Sequence, residues 1–173
     1  MFIERRIDVK ELILAGGCFW GVEAYYQLLQ GIVDTEVGYT DGPTIAPTYE
    51  EVCANSGHVE ACWIRYDESI LSLAQILNHF FRIIDPTAKN RQAHDIGVQY
   101  RTAIFYLDPL DAPIIEQFIE EQQANYAKPI QTYIKPAPPF FVAEEYHQDY
   151  LKKNPNGYCH VNLGLIREEE RRS

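Results

Sequence analysis

A run of prolines near the C-terminus divides this chain of 173 residues into two parts of different character. The segment Lys135-Pro136-Ala137-Pro138-Pro139 cannot form a helix or an inner strand, because proline lacks a backbone N–H and fixes φ. Before about residue 127 the apolar residues recur with helical or strand periods, and after it they do not. We therefore predict a single domain, with a core over about residues 8–126 and a long aperiodic C-terminal arm over about residues 127–173.

The apolar pattern of the core predicts an α+β fold. Strands are predicted at 10–15, 32–39, 58–66 and 100–107, and helices at 22–29, at 73–84 and from a cap at Asp108 or Asp111 to about 119. The order β-α-β-β-α-β-α is typical of a ferredoxin-like, split βαβ arrangement, in which helices cover one face of a mixed or antiparallel sheet. The almost entirely charged end, residues 167–173, is expected to fray.

Composition excludes several classes of function. Fifteen Lys and Arg against 25 Asp and Glu leave a formal net charge of −10, which argues against nucleic acid as a partner. No apolar run approaches the roughly 18 residues of a membrane span. The first residues are charged where a secretory signal would be apolar, so we expect a cytoplasmic protein. Four cysteines are too few for a disulfide scaffold, and in a reducing compartment they are structural, metal-binding or catalytic.

The hexapeptide Gly16-Gly17-Cys18-Phe19-Trp20-Gly21 is the most informative local motif. A strand ends, two glycines permit a tight turn, and Cys18 begins a helix whose free N–H groups and dipole favour an anion. Such a position lowers the pKa of a thiol from about 8.5, so Cys18 is a candidate nucleophile. The alternative is a small buried residue at a turn. Phe19 and Trp20 form either an apolar cup beside the thiol or part of the core.

The segment Gly17–Gly21 resembles the active-site signature of class A peptide-methionine sulfoxide reductases, and the resemblance spans roughly residues 10–162. Further segments match the family in order: Pro47-Thr48-Tyr49-Glu50-Glu51-Val52-Cys53, Gly57-His58-Val59-Glu60, Asp85-Pro86-Thr87, Asn90-Arg91-Gln92, Asp95-Ile96-Gly97-Val98-Gln99-Tyr100-Arg101, Glu144-Glu145-Tyr146-His147-Gln148-Asp149-Tyr150-Leu151 and Asn154-Pro155-Asn156-Gly157-Tyr158-Cys159. The chain departs from the family at Ala93-His94, and its loop between Cys53 and Gly57 is one residue short. Both departures lie in loops.

The resemblance implies an enzyme that reduces the S epimer of methionine sulfoxide, free or within proteins. Cys18 would attack the sulfur and become a sulfenic acid, and Phe19 and Trp20 would hold the S-methyl group. Cys159 would then resolve the sulfenic acid to a disulfide, which thioredoxin reduces. No cysteine follows Cys159, so we expect a single resolving cysteine. The resemblance implies neither a bound cofactor nor a metal.

The same resemblance assigns the residues that handle the sulfoxide oxygen. Glu60 matches the family's acid, and Tyr49 and Tyr100 match its two oxygen-binding phenols. Asp95 matches an acidic residue near the site. A carboxyl group with the usual pKa of about 4.3 is almost fully ionised at pH 7, so Glu60 acts as an acid only if burial raises its pKa.

Other classes of function stay open at this stage. A zinc site is disfavoured, because His58 and Cys62 lie four residues apart on a strand rather than a helix. A cysteine hydrolase needs a histidine partner, for which His147 and His160 are candidates. The third alternative is a non-catalytic, aromatic-rich binding module. Cys53 and Cys62 are expected to be structural, with Cys62 on the same strand face as Glu60.

Overall fold

A computed structural model describes residues 8–173, and the charged start of the chain, on which the expectation about a secretory signal depends, lies outside the described residues. The strands are β1 Val9–Ala15, β2 Ile32–Thr40, β3 Val59–Asp67, β4 Arg91–Gln92, β5 Asp95–Ile96, β6 Ala103–Tyr106, β7 Tyr133–Pro136 and β8 Phe140–Val142. The α-helices are α1 Phe19–Gln27, α2 Tyr49–Cys53, α3 Leu73–Ile83, α4 Ala112–Gln122 and α5 Tyr150–Lys153.

Six strands form one sheet in the order β7-β6-β1-β3-β2-β8. Strands β6 and β7 are parallel, and the other neighbouring pairs are antiparallel. The two-residue strands β4 and β5 form a separate hairpin. The fold is therefore a mixed α+β fold with a mostly antiparallel sheet, which agrees with the predicted fold class.

Both faces of the sheet are buried, and β1 shows the pattern. Leu12 and Leu14 belong to the larger core cluster, which includes residues of helices α1, α3 and α4. Ile13 and Ala15 point to the other face and join a smaller cluster with residues of β3 and β6. Because successive side chains of a strand alternate between faces, a strand buried on both sides is continuously apolar, as residues 12–15 are.

Helix α3 begins and ends where its sequence predicts. The Ser72 hydroxyl accepts from the Gln75 N–H, and the Gln75 side chain accepts from the Ser72 N–H, which makes a capping box. Its apolar face is fully buried at Ile76, Leu77 and Phe80. The helix ends at Ile83, before the Asp85-Pro86 pair that disfavours helical backbone.

Three local predictions need correction. Tyr100 was predicted to begin a strand but ends a 3-10 turn, because its N–H bonds to the Gly97 carbonyl; the strand begins at Ala103. The predicted loop at 85–95 contains β4 and leads into β5. The arm predicted to be aperiodic contributes edge strands β7 and β8 and the short helix α5. Strand β7 lies at the edge of the sheet and ends at Pro136. Because no further strand pairs with its outer side, the N–H that proline lacks is not required for strand pairing there.

The prediction that residues 167–173 fray is wrong. The Glu170 carbonyl accepts from the Gln30 N–H, and the Arg172 N–H donates to the Leu28 carbonyl. The Glu170 carboxylate makes two hydrogen bonds with Arg82 of α3, at 2.8 and 2.9 Å. Most side chains of residues 167–173 are exposed, but these hydrogen bonds attach the segment to the rest of the fold.

Within residues 8–173, no helix is both long enough and apolar enough to cross a membrane.

Candidate active site

Cys18 lies at the junction of β1 and α1, where the sequence predicts it. Gly17 has φ +86°, and a Cβ atom there would lie 2.8 Å from the Cβ of Gln92, so the turn needs glycine for both conformation and space. Cys18 is the N-cap residue of α1, its side chain makes no capping hydrogen bond, and the nearby Trp20 backbone N–H lowers the pKa of its thiol. Its side chain is buried, with the residue 7% exposed. Cys18 belongs to neither of the two core clusters.

The surroundings of Cys18 shift its pKa in the direction opposite to the prediction. Burial raises the pKa of the Cys18 thiol, and the charge of a Glu60 carboxylate raises it further, while the Trp20 N–H lowers it. The helix N-terminus is therefore outweighed by the loss of hydration and by acidic neighbours. The resting sulfur is a thiol, so the chemistry needs a route for its proton.

Glu60, on β3, has the burial that its proposed role as an acid requires. It is 1% exposed, and its Oε1 accepts from the backbone N–H of Phe19 at 3.2 Å. Desolvation raises the pKa of Glu60 to about 8, with a further contribution from Asp95, against the lowering effect of the Phe19 N–H. At pH 7 about nine-tenths of this carboxyl group is protonated. A buried proton donor thus contacts the residue that directly follows the candidate nucleophile.

The two predicted phenols and Asp95 lie close enough to Glu60 to interact with it electrostatically. Tyr49 is the first residue of α2, and Tyr100 ends the 3-10 turn before β6. Burial and the nearby Glu60 carboxylate raise the pKa of both phenols, so they remain neutral hydrogen-bond donors at pH 7. Asp95, on β5, accepts from the Tyr158 hydroxyl at 3.1 Å and raises the pKa of both Glu60 and Cys18.

Phe19 and Trp20 have different surroundings. Phe19 is 1% exposed and belongs to the core. Trp20 is partly exposed and is held by the arm: its indole N–H donates to His147 Nδ1 at 3.0 Å, and its ring stacks on Tyr150 with centroids 3.8 Å apart. Phe19 also lies against His147, at 5.1 Å between centroids. The C-terminal arm therefore contributes His147 and Tyr150 to the surroundings of Trp20, and Phe19 takes the core position that the sequence left as the alternative.

Cys159, the candidate resolving residue, lies against the first turn of α1. A Cβ atom on Gly21 would lie 3.2 Å from the Cys159 sulfur, so glycine at this position allows the arm to approach the helix. The Cys159 thiol donates to the Val161 carbonyl at 3.1 Å, and it is half-buried. All four cysteines are free thiols.

The alternatives find little support in these contacts. The His160 Nε2 donates to the Gly16 carbonyl at 2.9 Å, and the His147 Nδ1 accepts from the Trp20 indole N–H, so neither of these two ring nitrogens is free to take a proton from Cys18. In the described part of the chain, no three His, Cys, Asp or Glu side chains are grouped so that they could hold a metal ion. Cys62 is fully buried in the larger core cluster.

The sequence assigned no role in sulfoxide reduction to several residues that contact the predicted site residues. Tyr39 of β2 pairs with Glu60 across the sheet, and its hydroxyl donates to Glu144. His147 and Tyr150 hold Trp20. Glu144, His147 and Tyr150 all lie in segment 144–151. This segment resembles the family, but the resemblance assigned no role to its residues.

Comparison with known proteins assigns the family. The family model described as peptide methionine sulfoxide reductase matches residues 10–173. The chain belongs to the peptide methionine sulfoxide reductase family. The peptide methionine sulfoxide reductase MsrA of Clostridium botulinum (strain Okra / Type B1) is 57% identical over 156 residues, which cover 90% of this chain and 99% of that protein.

Solved structures agree with this assignment. Mxr1 from Saccharomyces cerevisiae in reduced form is 36% identical, with a TM-score of 0.85 over 95% of each chain. Methionine sulfoxide reductase A of Corynebacterium diphtheriae is 32% identical, with a TM-score of 0.76 over 90% of this chain and 79% of that one. Mxr1 has also been solved in complex with Trx2, at 27% identity and a TM-score of 0.60 over 87% of this chain and 90% of that one. As a member of this family, the chain is an oxidoreductase that acts on methionine sulfoxide.

Proposed function

We propose that this chain reduces the S epimer of methionine sulfoxide, free or within proteins, with Cys18 as the nucleophile. The supporting observation is the placement of a buried, protonated Glu60 beside the first turn of α1, which Cys18 begins. A sulfoxide sulfur is a weak electrophile until its oxygen is protonated, so the reaction needs a thiol and a proton donor together.

In the first step the Cys18 sulfur attacks the sulfoxide sulfur while Glu60 donates its proton to the oxygen. The oxygen passes to the Cys18 sulfur as S–OH, the bond to the substrate sulfur breaks, and methionine leaves. The proton of the Cys18 thiol restores Glu60. One thiol and one sulfoxide become one sulfenic acid and one thioether, so atoms and electrons balance.

Tyr49 and Tyr100 would donate hydrogen bonds to the oxygen as negative charge develops on it. Both are neutral phenols close to Glu60, which suits this role. Asp95 would hold the Tyr158 hydroxyl at the rim of the site. Trp20 and Phe19 would contact the S-methyl group through their apolar rings.

In the second step the Cys159 thiol condenses with the Cys18 sulfenic acid, which releases water and leaves a disulfide. Thioredoxin then reduces that disulfide by thiol–disulfide exchange, and its own dithiol is oxidised. The position of Cys159 against Gly21, in the first turn of the helix that Cys18 begins, supports this pairing. The complex of the homologous Mxr1 with Trx2 supports thioredoxin as the partner.

The finer features of the fold are part of the same proposal. The order β6-β1-β3-β2, antiparallel throughout, supports a ferredoxin-like, split βαβ centre. We take the chain as a single catalytic domain, with a core over about residues 8–126 and a C-terminal arm over about residues 127–173 that carries Cys159. A thiol enzyme that depends on thioredoxin is suited to the cytoplasm.

The test is NADPH consumption with thioredoxin, thioredoxin reductase and a racemic methyl sulfoxide. We expect consumption to stop near half conversion, because one epimer is refused. A hydrolase or a binding module consumes no NADPH, and complete conversion would contradict the assignment to one epimer.

A further inference from the structure

Glu144 connects the arm to two elements of the candidate active site. It follows β8, and its carboxylate lies between β2 and the start of α2. The Oε1 atom accepts from the Tyr39 hydroxyl at 3.0 Å, and the Oε2 atom accepts from the backbone N–H of Tyr49 at 3.1 Å. The Tyr146 hydroxyl also donates to Oε2, at 3.4 Å. Within residues 8–173 no Lys or Arg forms an ion pair with Glu144, so its contacts here are hydrogen bonds with fixed directions.

Helix α2 needs such support because it has only five residues. A helix this short is not stable by itself, since nucleation is costly and few hydrogen bonds follow. Its single buried residue is Val52, and Thr48 provides a local cap through the Glu51 N–H. The bond from Tyr49 N–H to Glu144 is thus a direct polar contact between the first helical residue and the rest of the fold.

The other oxygen of Glu144 reaches the strand beside the acid. Tyr39 and Glu60 are directly opposite each other in the β2–β3 pair, so their side chains share one face of the sheet. Glu144 therefore sets the distance between the backbone of Tyr49 and the strand pair that carries Glu60.

We infer that Glu144 is a positioning residue for sulfoxide reduction, which acts through Tyr49 by holding its backbone in register with Glu60. The inference rests on the proposed role of Tyr49 as a donor to the substrate oxygen. This positioning role requires a hydrogen-bond acceptor at the distance from the backbone that a glutamyl side chain spans. A phenol displaced by even a fraction of an ångström donates poorly to an oxygen that Glu60 and Tyr100 also contact.

The first experiment measures the rate of methionine release in a single turnover, without thioredoxin. Glu144→Ala is expected to lower this rate about tenfold, the scale of a weakened transition-state hydrogen bond. Glu144→Gln keeps the reach and one acceptor oxygen, which can face the Tyr49 N–H while the amide N–H donates to the Tyr39 hydroxyl, and is expected to stay within about threefold of wild type. Glu144→Asp keeps the charge but shortens the side chain, and is expected to resemble Glu144→Ala.

The matched control is Glu145→Ala, at the adjacent residue. Its side chain is 92% exposed, and we expect the rate to be unchanged. If Glu144→Ala does not fold, the comparison of Glu144→Gln with Glu144→Asp still tests the inference. A fast Asp variant with a slow Gln variant would show that the charge of residue 144 matters rather than its position. That result would overturn the inference. Wild-type rates in all three Glu144 variants would also overturn it.

A double-mutant cycle with Tyr49→Phe separates positioning from general support of the fold. The Tyr49→Phe variant lacks the hydroxyl, so adding Glu144→Ala to it is expected to change the rate by less than about twofold. A full tenfold loss in that background would show that Glu144 does not act through the Tyr49 hydroxyl. If Tyr49→Phe alone has the wild-type rate, the proposed role of Tyr49 fails and this inference fails with it, while Cys18-dependent reduction still stands. A slow Tyr49→Phe with a fast Glu144→Ala refutes this inference alone.

Discussion

At the scale of single residues, the protonation of Glu60 and Cys18 follows from competition between hydration and local hydrogen bonds. The Glu60 carboxyl group accepts from the Phe19 N–H, and the Trp20 N–H lies near the Cys18 sulfur; each N–H lowers the pKa of its neighbour and so favours the charged form. In both cases burial has the larger effect and raises the pKa. Both groups therefore hold a proton at rest.

Glu60→Gln tests the acid. Gln cannot supply a proton, so the single-turnover rate is expected to fall about 100-fold or more at pH 7. In wild type the acid form is lost as pH rises through about 8, and the rate is expected to fall over that range. The variant is expected to lack this decline. A variant with the wild-type rate and pH profile would remove Glu60 from the acid role.

Cys18→Ser tests the nucleophile, with Cys53→Ser as its matched control. The Cys18 variant is expected to release no methionine, because a serine hydroxyl at pH 7 is a far weaker nucleophile than a thiol. Cys53 is exposed at the end of α2, and a serine there still offers a hydrogen-bond partner to Tyr49. We expect near-normal turnover in that variant. Retained turnover in Cys18→Ser would contradict the proposal.

At the scale of elements, the start of α1 and the end of the arm form one unit. Trp20 is held by His147 and Tyr150, and Cys159 lies against Gly21. Glu23, further along the same helix, accepts from the Asp149 N–H at 2.7 Å. Helix α1 thus supplies one side of the site, and residues 147–161 supply the other.

Cys159→Ser tests the chemical role of the arm. Without the Cys159 thiol, the Cys18 sulfenic acid loses its proposed partner, so we expect about one methionine per enzyme and no thioredoxin-driven cycling. Product is measured by chromatography, and NADPH consumption reports cycling. Full cycling in this variant would move the resolving role to another thiol.

Glu170→Ala tests the attachment of the last residues to the body. The variant removes both hydrogen bonds to Arg82 and the 3.3 Å contact with His79, and leaves a partly buried guanidinium without its carboxylate. We expect a loss of about 1–3 kcal/mol in the free energy of unfolding, measured by urea titration. Amide exchange is expected to speed up in residues 167–173. Unchanged exchange there would show that the backbone bonds to Leu28 and Gln30 suffice.

At the scale of the whole molecule, the same buried acid links stability to pH. The folded state holds the Glu60 proton up to about pH 8, whereas an unfolded chain releases it near 4.5. A pKa raised by folding stabilises the folded state most at low pH, and this contribution is lost as pH rises through about 8. The pKa values of His79, His147 and His160 are lowered from the ordinary value of 6.5. These groups therefore change the pH dependence of stability below pH 6.5 and not between pH 7 and pH 8.

We therefore expect the free energy of unfolding to fall by about 1 kcal/mol between pH 7 and pH 8 in wild type. The Glu60→Gln variant is expected to show a smaller slope, because its side chain does not titrate. Glu145→Gln, at an exposed carboxylate, controls for the loss of one acidic group. Parallel slopes in wild type and Glu60→Gln, measured by urea titration, would contradict the raised pKa.

Local patterns predicted the central elements well and the arm poorly. The apolar run at 10–15, the helical period at 73–84 and the turn before Cys18 involve neighbours in sequence, so their structure follows from period and turn chemistry. Tyr39 and Glu144 lie 105 positions apart, and they meet because β8 pairs with β2. Strand β8 has only three residues, which is too short for a periodicity from which this pairing could be predicted.

The amino-acid sequence alone determined which chemical groups are present, the order of the central strands and helices along the chain, and the family, since these depend on local pattern and on matched motifs. Only the tertiary structure decided that Cys18 and Glu60 are both protonated at rest. It also decided that His147 and Tyr150 of the arm contact Trp20, and that the charged last residues are hydrogen-bonded to the rest of the fold. The physical reason is that desolvation and long-range hydrogen bonds depend on every segment packed around a group, and residues far apart in the chain supply most of that packing.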